Sequence, residues 1–156
     1  MKLRAIFLTG LLAAAIAQNP GVAASPQEDD GMVAGSGAGV FPADASFAGV
    51  ALSSLQFGHG VLADSGSTVG AFHAVLFGTS GGGQFQQITV EGKVDAGLFD
   101  GANSFSGTAS VDLGLGGQLL TAVPFTVTVG ADSLQLVLAG TSLPAAALAV
   151  GALAND

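Results

Sequence analysis

From Phe41 onward, apolar and polar side chains alternate along the chain with a period of two. The clearest run is Ser104 to Leu113. Phe105, Gly107, Ala109, Val111 and Leu113 share one face of it, and Ser104, Ser106, Thr108, Ser110 and Asp112 share the other. Ile88, Val90, Gly92 and Val94 alternate with Thr89, Glu91, Lys93 and Asp95. Val123, Phe125, Val127 and Val129 alternate with Pro124, Thr126 and Thr128, and Leu134, Leu136 and Leu138 continue the pattern. Successive side chains of a strand point to opposite faces, so this alternation predicts sheets with one dry and one wet face, as antiparallel sheets usually have. Turn signals separate the runs at Asp64 to Ser67, Thr79 to Gly83, Asp100 to Asn103, Gly114 to Gln118, Gly130 to Asp132 and Gly140 to Pro144. Gly, Asn and Asp tolerate the positive φ of tight hairpins. The expected strands are 46–57, 67–78, 84–96, 103–113, 122–130, 133–140 and 145–153. Together they predict an all-β fold: an antiparallel meander of about 7–8 strands forming a β-sandwich or a small closed barrel.

Some positions qualify this pattern. Pro124 lacks a ladder donor and belongs near a strand start or on an edge. The segment Ala145 to Ala154 holds only Ala, Leu, Val and Gly, so a helix packed on the sheet competes there with a closing strand. Pro144 and Gly151 interrupt helical continuity and favour the strand. In Ser67 to Gly78 both faces are apolar: Val69, Ala71, Val75 and Phe77 alternate with Phe72, Ala74 and Leu76. Such a strand is normally covered on its second side, by another sheet, a tail or another molecule.

The N-terminus follows different rules. Lys2 and Arg4 precede an apolar stretch from Ala5 to Ala17, then Gln18 to Gly21 break it, and Val22-Ala23-Ala24 supply small residues for cleavage. Residues 1–24 therefore read as a signal peptide. Residues 25–39, with Glu28, Asp29, Asp30 and a Gly/Ala/Ser-rich stretch, read as a flexible tail, and 40–156 as a single β domain. The expected location is secreted, extracellular or periplasmic, with no membrane span in the mature form.

Removing the leader changes the charge. Of 156 residues 132 remain, all eleven acids among them, with Lys93 as the only base. A side-chain charge of −10 then disfavours nucleic acids, anionic membranes and phosphorylated substrates, which Lys and Arg would have to attract. With no Cys, stability must come from a packed core rather than disulfides, and thiolate catalysis and Cys-bound metals are excluded.

Candidate chemistry is sparse. His59 and His73 are the only histidines, and both lie seven residues from Gly66. A three-residue hairpin loop centred on Gly66 would set them opposite each other, close enough to share a metal ion, and a one-residue change of register would separate them. Asp95, Asp100 and Asn103 border one turn and offer oxygen ligands to Ca²⁺, or alternatively cap the turn as Asx residues. There is no Gly-x-Ser-x-Gly elbow and no phosphate loop, and sugar sites usually stack the ring on Trp or Tyr, neither of which is present. Nine Phe residues follow the leader and read as core filling, or as the lining of an apolar cavity.

The phrases Phe105-Ser106-Gly107-Thr108-Ala109, Val123-Pro124-Phe125-Thr126-Val127-Thr128-Val129 and Leu134-Gln135-Leu136 resemble those of small exported bacterial β domains of unknown function. The resemblance spans roughly residues 85–140. It implies a bacterial origin and a β fold, and it brings no catalytic residues. The sequence thus points to a non-catalytic exported β domain without cofactor, acting as a surface, matrix or binding module, with a protein partner or a second copy engaged through a sheet edge. The alternative is a β-barrel binding a small apolar ligand. Charge alone generates one prediction. Carboxylates protonate near pH ~4, which removes most of the repulsion between copies. Light scattering of the purified protein should rise steeply between pH 5 and pH 3.5; a flat trace would contradict the charge argument.

Overall fold

The computed structural model describes residues 31–64, 66–98 and 103–155, with side chains described as far as Ala149. The expected signal peptide 1–24, and residues 25–30 of the expected tail, lie outside the described residues. Eight long strands follow one another: β1 (Gly31–Val40), β3 (Val50–Asp64), β4 (Ser67–Ser80), β5 (Phe85–Leu98), β6 (Asn103–Asp112), β7 (Leu119–Val129), β8 (Ser133–Leu138) and β10 (Ala146–Asn155). Two short strands, β2 (Ser46–Phe47) and β9 (Thr141–Ser142), are added at hairpins. Each long strand pairs antiparallel with the next, and β1 lies between β10 and β3. The meander therefore closes into a hydrogen-bonded ring, the topology of an up-and-down barrel. The narrowest seam joins β10 to β8 through two residue pairs, Ala146 with Leu134 and Ala147 with Ser133.

The expected antiparallel meander is the observed fold. The strands expected from 67 to 140 appear as β4 to β8, with the starts at 67, 103 and 133 as expected and the other ends displaced by one to three residues. The segment 145–153 is the closing strand β10, not a helix. Pro124 sits inside β7, one residue before the β7–β8 ladder begins at Phe125.

Two expectations need correction. The first is the tail. Residues 31–39 are not loose chain but most of β1, paired with β3 along ten residues and with β10 along eight. Its Gly and Ala residues bury little, so no hydrophobic period betrays it. Its order rests on ladders along both edges, because a buried or paired backbone group left unmatched is costly. The second is the strand expected at 46–57. Ala48 and Gly49, with φ of 50° and 80°, fold it into a two-residue hairpin between β2 and β3. Ala139 and Gly140, at 50° and 78°, repeat the device between β8 and β9. Both central φ are positive, as a type I′ turn requires.

Inside the ring, alternate side chains make one core. Leu55, Phe72, Leu76, Ile88, Phe105, Leu134, Leu136 and Leu138 are each at most 1% exposed. Ladder irregularities at Leu52/Ser54, Val94/Ala96 and Ala109/Val111 bend the strands so that a sheet this long can curl around that core. Glycine makes room where the filling is thickest. A Cβ at Gly92 would lie 2.7 Å from the ring of Phe125.

An Ala held in the left-handed region is strained by about 1–2 kcal/mol relative to a residue at home there. Ala48→Asn and Ala139→Asn should therefore each stabilise the fold, by up to about 1 kcal/mol. Thermal melts of the two variants check this; an unchanged or lowered Tm would contradict it.

Candidate functional site

The β3–β4 hairpin decides the fate of the two histidines. Its loop has two residues, with Asp64 paired to Ser67 and Gly66 at a φ of 87°. The expected three-residue loop is thereby shortened by one, and the register moves by one. His59 pairs with Phe72, and His73 pairs with Gly58. Adjacent register positions face opposite sides of a sheet, so His59 points into the ring and His73 to the outside. They do not form a metal pair. Among the described residues no group of three or more His, Cys, Asp or Glu is placed to hold a metal ion.

Of the Ca²⁺ candidates, the structure describes Asp95 and Asn103 and sets them apart. Asp100 lies outside the described residues. Asp95 occupies the irregularity between Val94 and Ala96, whose partners are Gly107 and Ser106. Asn103 opens β6, three residues before Ser106, so it sits roughly 10 Å from Asp95 along the strand. Asx capping does occur one hairpin later, where the Gly114 N–H donates to Asp112 Oδ1 at 2.9 Å.

His59 is 7% exposed and sits in a column of rings. It stacks on Phe57 with centroids 6.0 Å apart and an interplanar angle of 7°, and leans on Phe105 at 5.1 Å. Phe105 continues to Phe72 at 5.8 Å, and Phe72 to Phe125 at 5.6 Å. Neither ring nitrogen of His59 meets a hydrogen-bond partner among the described residues. Burial lowers its pKa below the usual 6.5, because an imidazolium here would give up its hydration. The side chain is thus a neutral imidazole inside an apolar column. Among the described residues it has no neighbouring nucleophile to activate and no acid to orient it, both of which nucleophilic catalysis needs.

Sequence reasoning did not foresee the outward geometry. Glu91 pairs with Ser110 and Thr89 with Asp112, which brings two carboxylates to diagonal positions in a groove of about 190 Å³ also lined by Leu119. Both carboxylates are exposed, and Asp112 accepts the Gly114 N–H. Toward the other end of β5 and β6, a groove of about 340 Å³ between Ala96, Leu98, Ser104, Phe105, Ser106 and Thr126 has no titratable group among its described lining residues.

The other outward feature is apolar. Met32 on β1 pairs with Leu62 on β3, and Leu62 pairs with Val69 on β4. The three side chains form a row across adjacent strands and are 49%, 47% and 54% exposed. The next outward row, Ala34, Gly60 and Ala71, has almost no side chain and leaves the surface flat. Val69 and Ala71 belong to the strand whose second apolar face the sequence marks as needing cover. The partners of that row on β1 and β3 carried no such signal. Phe77 and Phe85 also face outward, stacked at 6.1 Å, so these two of the nine phenylalanines do not fill the core.

Comparison with protein-family models, with curated proteins and with solved structures finds no match.

Replacing a buried polar group that lacks a partner by an apolar one of similar size removes a desolvation cost. His59→Leu should raise stability by about 1–2 kcal/mol. The wild-type protein should keep its full stability above about pH 6.5 and lose stability as the pH falls from there toward the lowered pKa of folded His59, since only the unfolded chain takes up the proton easily in that window. His59→Leu should be flat over it. His73→Ala, on the exposed face, should shift stability by no more than about 0.5 kcal/mol. Urea titrations from pH 7.5 to 5 check all three; a His59→Leu variant less stable than wild type would contradict the reading of an unpartnered imidazole.

Proposed function

We propose that this protein is a non-catalytic exported β module of bacterial origin that works by its outside, associating through the sheet face formed by β1, β3 and β4. The observation that carries this reading is the exposed row Met32, Leu62 and Val69 above the flat row Ala34, Gly60 and Ala71. A contiguous apolar patch on a sheet face is a contact surface in search of a partner. The small residues let another sheet approach closely.

A second copy of the chain is the occupant that suits the charge. With ten more acids than bases after the leader, two copies repel each other except where a face lacks carboxylates. Lys93 borders the patch, since it pairs with Ala71, and Glu91 and Asp95 flank it on the same strand. A two-fold contact would set the lysine of each copy near acids of the other. The core side chains packed inside the ring favour this over an apolar-ligand carrier, whose interior has to stay open. An apolar interior is also the reverse of a membrane-spanning barrel, which faces lipid with its apolar residues.

Sedimentation velocity of the exported protein tests the reading. Wild type should show concentration-dependent association up to the millimolar range. Leu62→Glu should sediment as a monomer with its melting temperature unchanged within about 0.5 kcal/mol of stability, because the site is on the surface. A wild type that stays monomeric throughout, or a Leu62→Glu variant that associates as wild type does, would contradict it.

A further inference from the structure

Strand β1 holds its place in an unusual way. Its inward positions are Val33, Gly35, Gly37 and Gly39, so a single bulky side chain, Val33, anchors it in the core. The remaining attachment is backbone pairing with β3 and β10. The next firm anchors, Phe41 and Phe47, lie beyond its C-terminal end, so β1 can leave without disturbing them. Its partner in register at Gly35 is His59, the one buried polar residue among those described. Glycine is thus the wall that separates the imidazole from the outside along that rung.

We propose that β1 is an exchangeable latch: protonation of His59 drives β1 out of the slot between β3 and β10, and the β1 of a second copy fills the vacated slot. The slot fits that occupant because it is built for this same strand, with ten pairs on the β3 side and eight on the β10 side. Lifting β1 uncovers His59 along its Gly35 rung, at the loss of one buried Val, while β3, β4 or β6 would carry several core side chains with it. Once uncovered, the ring is hydrated and holds its proton at an ordinary pKa.

No other described group competes for that proton. The inward neighbours of His59 are Phe57 and Val61 on β3, Val33 and Gly35 on β1, Phe72 on β4 and Phe105 on β6, and none titrates. The titratable groups of these strands, Asp64 on β3, His73 on β4 and Asp112 on β6, are exposed on the surface, as are Glu91, Lys93 and Asp95 on β5. Below pH 6.5 the fraction of chains with β1 released grows by up to about tenfold per pH unit, the limit for one proton. This device works through strand edges rather than through the apolar face, although release of β1 also removes Met32 and Ala34 from that face.

The chain has no Cys, which makes the test clean. Ser36 and Gly58 are partners across the β1–β3 ladder and lie on the outer side, and a Cβ at Gly58 meets nothing closer than the Gly35 carbonyl at 3.9 Å. Full-length Ser36→Cys and Gly58→Cys chains of different tag size, each expressed through its own leader, are mixed, held at pH 7.5 or pH 5, returned to pH 8 and oxidised. Both chains also carry Leu62→Glu, which removes contact through the apolar face, so a disulfide between the two kinds of chain forms in quantity only if β1 of one is paired with β3 of the other. The expected result is at least a tenfold higher yield after pH 5 than after pH 7.5. With His59→Gln, or His59→Leu, added to both chains, the yields at the two pH values should match. Absence of the mixed disulfide at both pH values would overturn strand exchange. Equal yields in the presence of His59, or a pH-dependent yield that survives its replacement, would overturn the role of the imidazole.

Discussion

Ring closure by β1 is the constraint on which the rest depends. Seven long strands from β3 to β10 form a meander whose two ends, left open, would expose two long edges. Open edges of that length invite pairing with other chains. A strand of Gly and Ala completes both ladders and removes both edges. Because the strand is nearly devoid of bulky inward side chains, it fits between two walls that already enclose a packed core. The fold therefore separates two tasks. Strands β3 to β8 supply most of the buried apolar surface, and β1 supplies backbone hydrogen bonds.

The closed ring fixes what the protein can do. Its interior is taken up by Leu, Val, Ile and a column of aromatic rings in which His59 is the single polar member among the described residues. Among the described residues, the charged groups on the strands face outward and are spread over several of them. The outer surface is rich in Gly, Ala, Ser and Thr, carries few charges on β1, β3 and β4, and has Met32, Leu62 and Val69 side by side in a row across those strands.

Much of this was legible in the sequence, for reasons that can be traced to particular residues. Ser104 to Asp112 and Ile88 to Val94 are half-buried strands, and their strict alternation records it. The two-sided apolar character of β4 is also visible in the sequence, and the structure leaves its outer residues Val69 and Ala71 exposed. Three features were silent. β1 has no alternation, because glycine at positions 35, 37 and 39 hides which face is inside. The hairpins at Ala48-Gly49 and Ala139-Gly140 use alanine where Asn or Asp would have signalled the turn. The histidine pairing hinged on one residue of loop length at Ser65-Gly66, and a period of two converts that single residue into opposite faces.

The most direct test of the closed ring is whether β1 touches both of its neighbours in solution at neutral pH. Nuclear Overhauser contacts across the ladders, recorded on labelled protein, would show it. The account predicts backbone contacts from Gly35 to His59 on one side and from Ala38 to Val150 on the other, with slowly exchanging amides along 33–39. Random-coil shifts and rapid exchange through that segment, with the remaining strands intact, would contradict it.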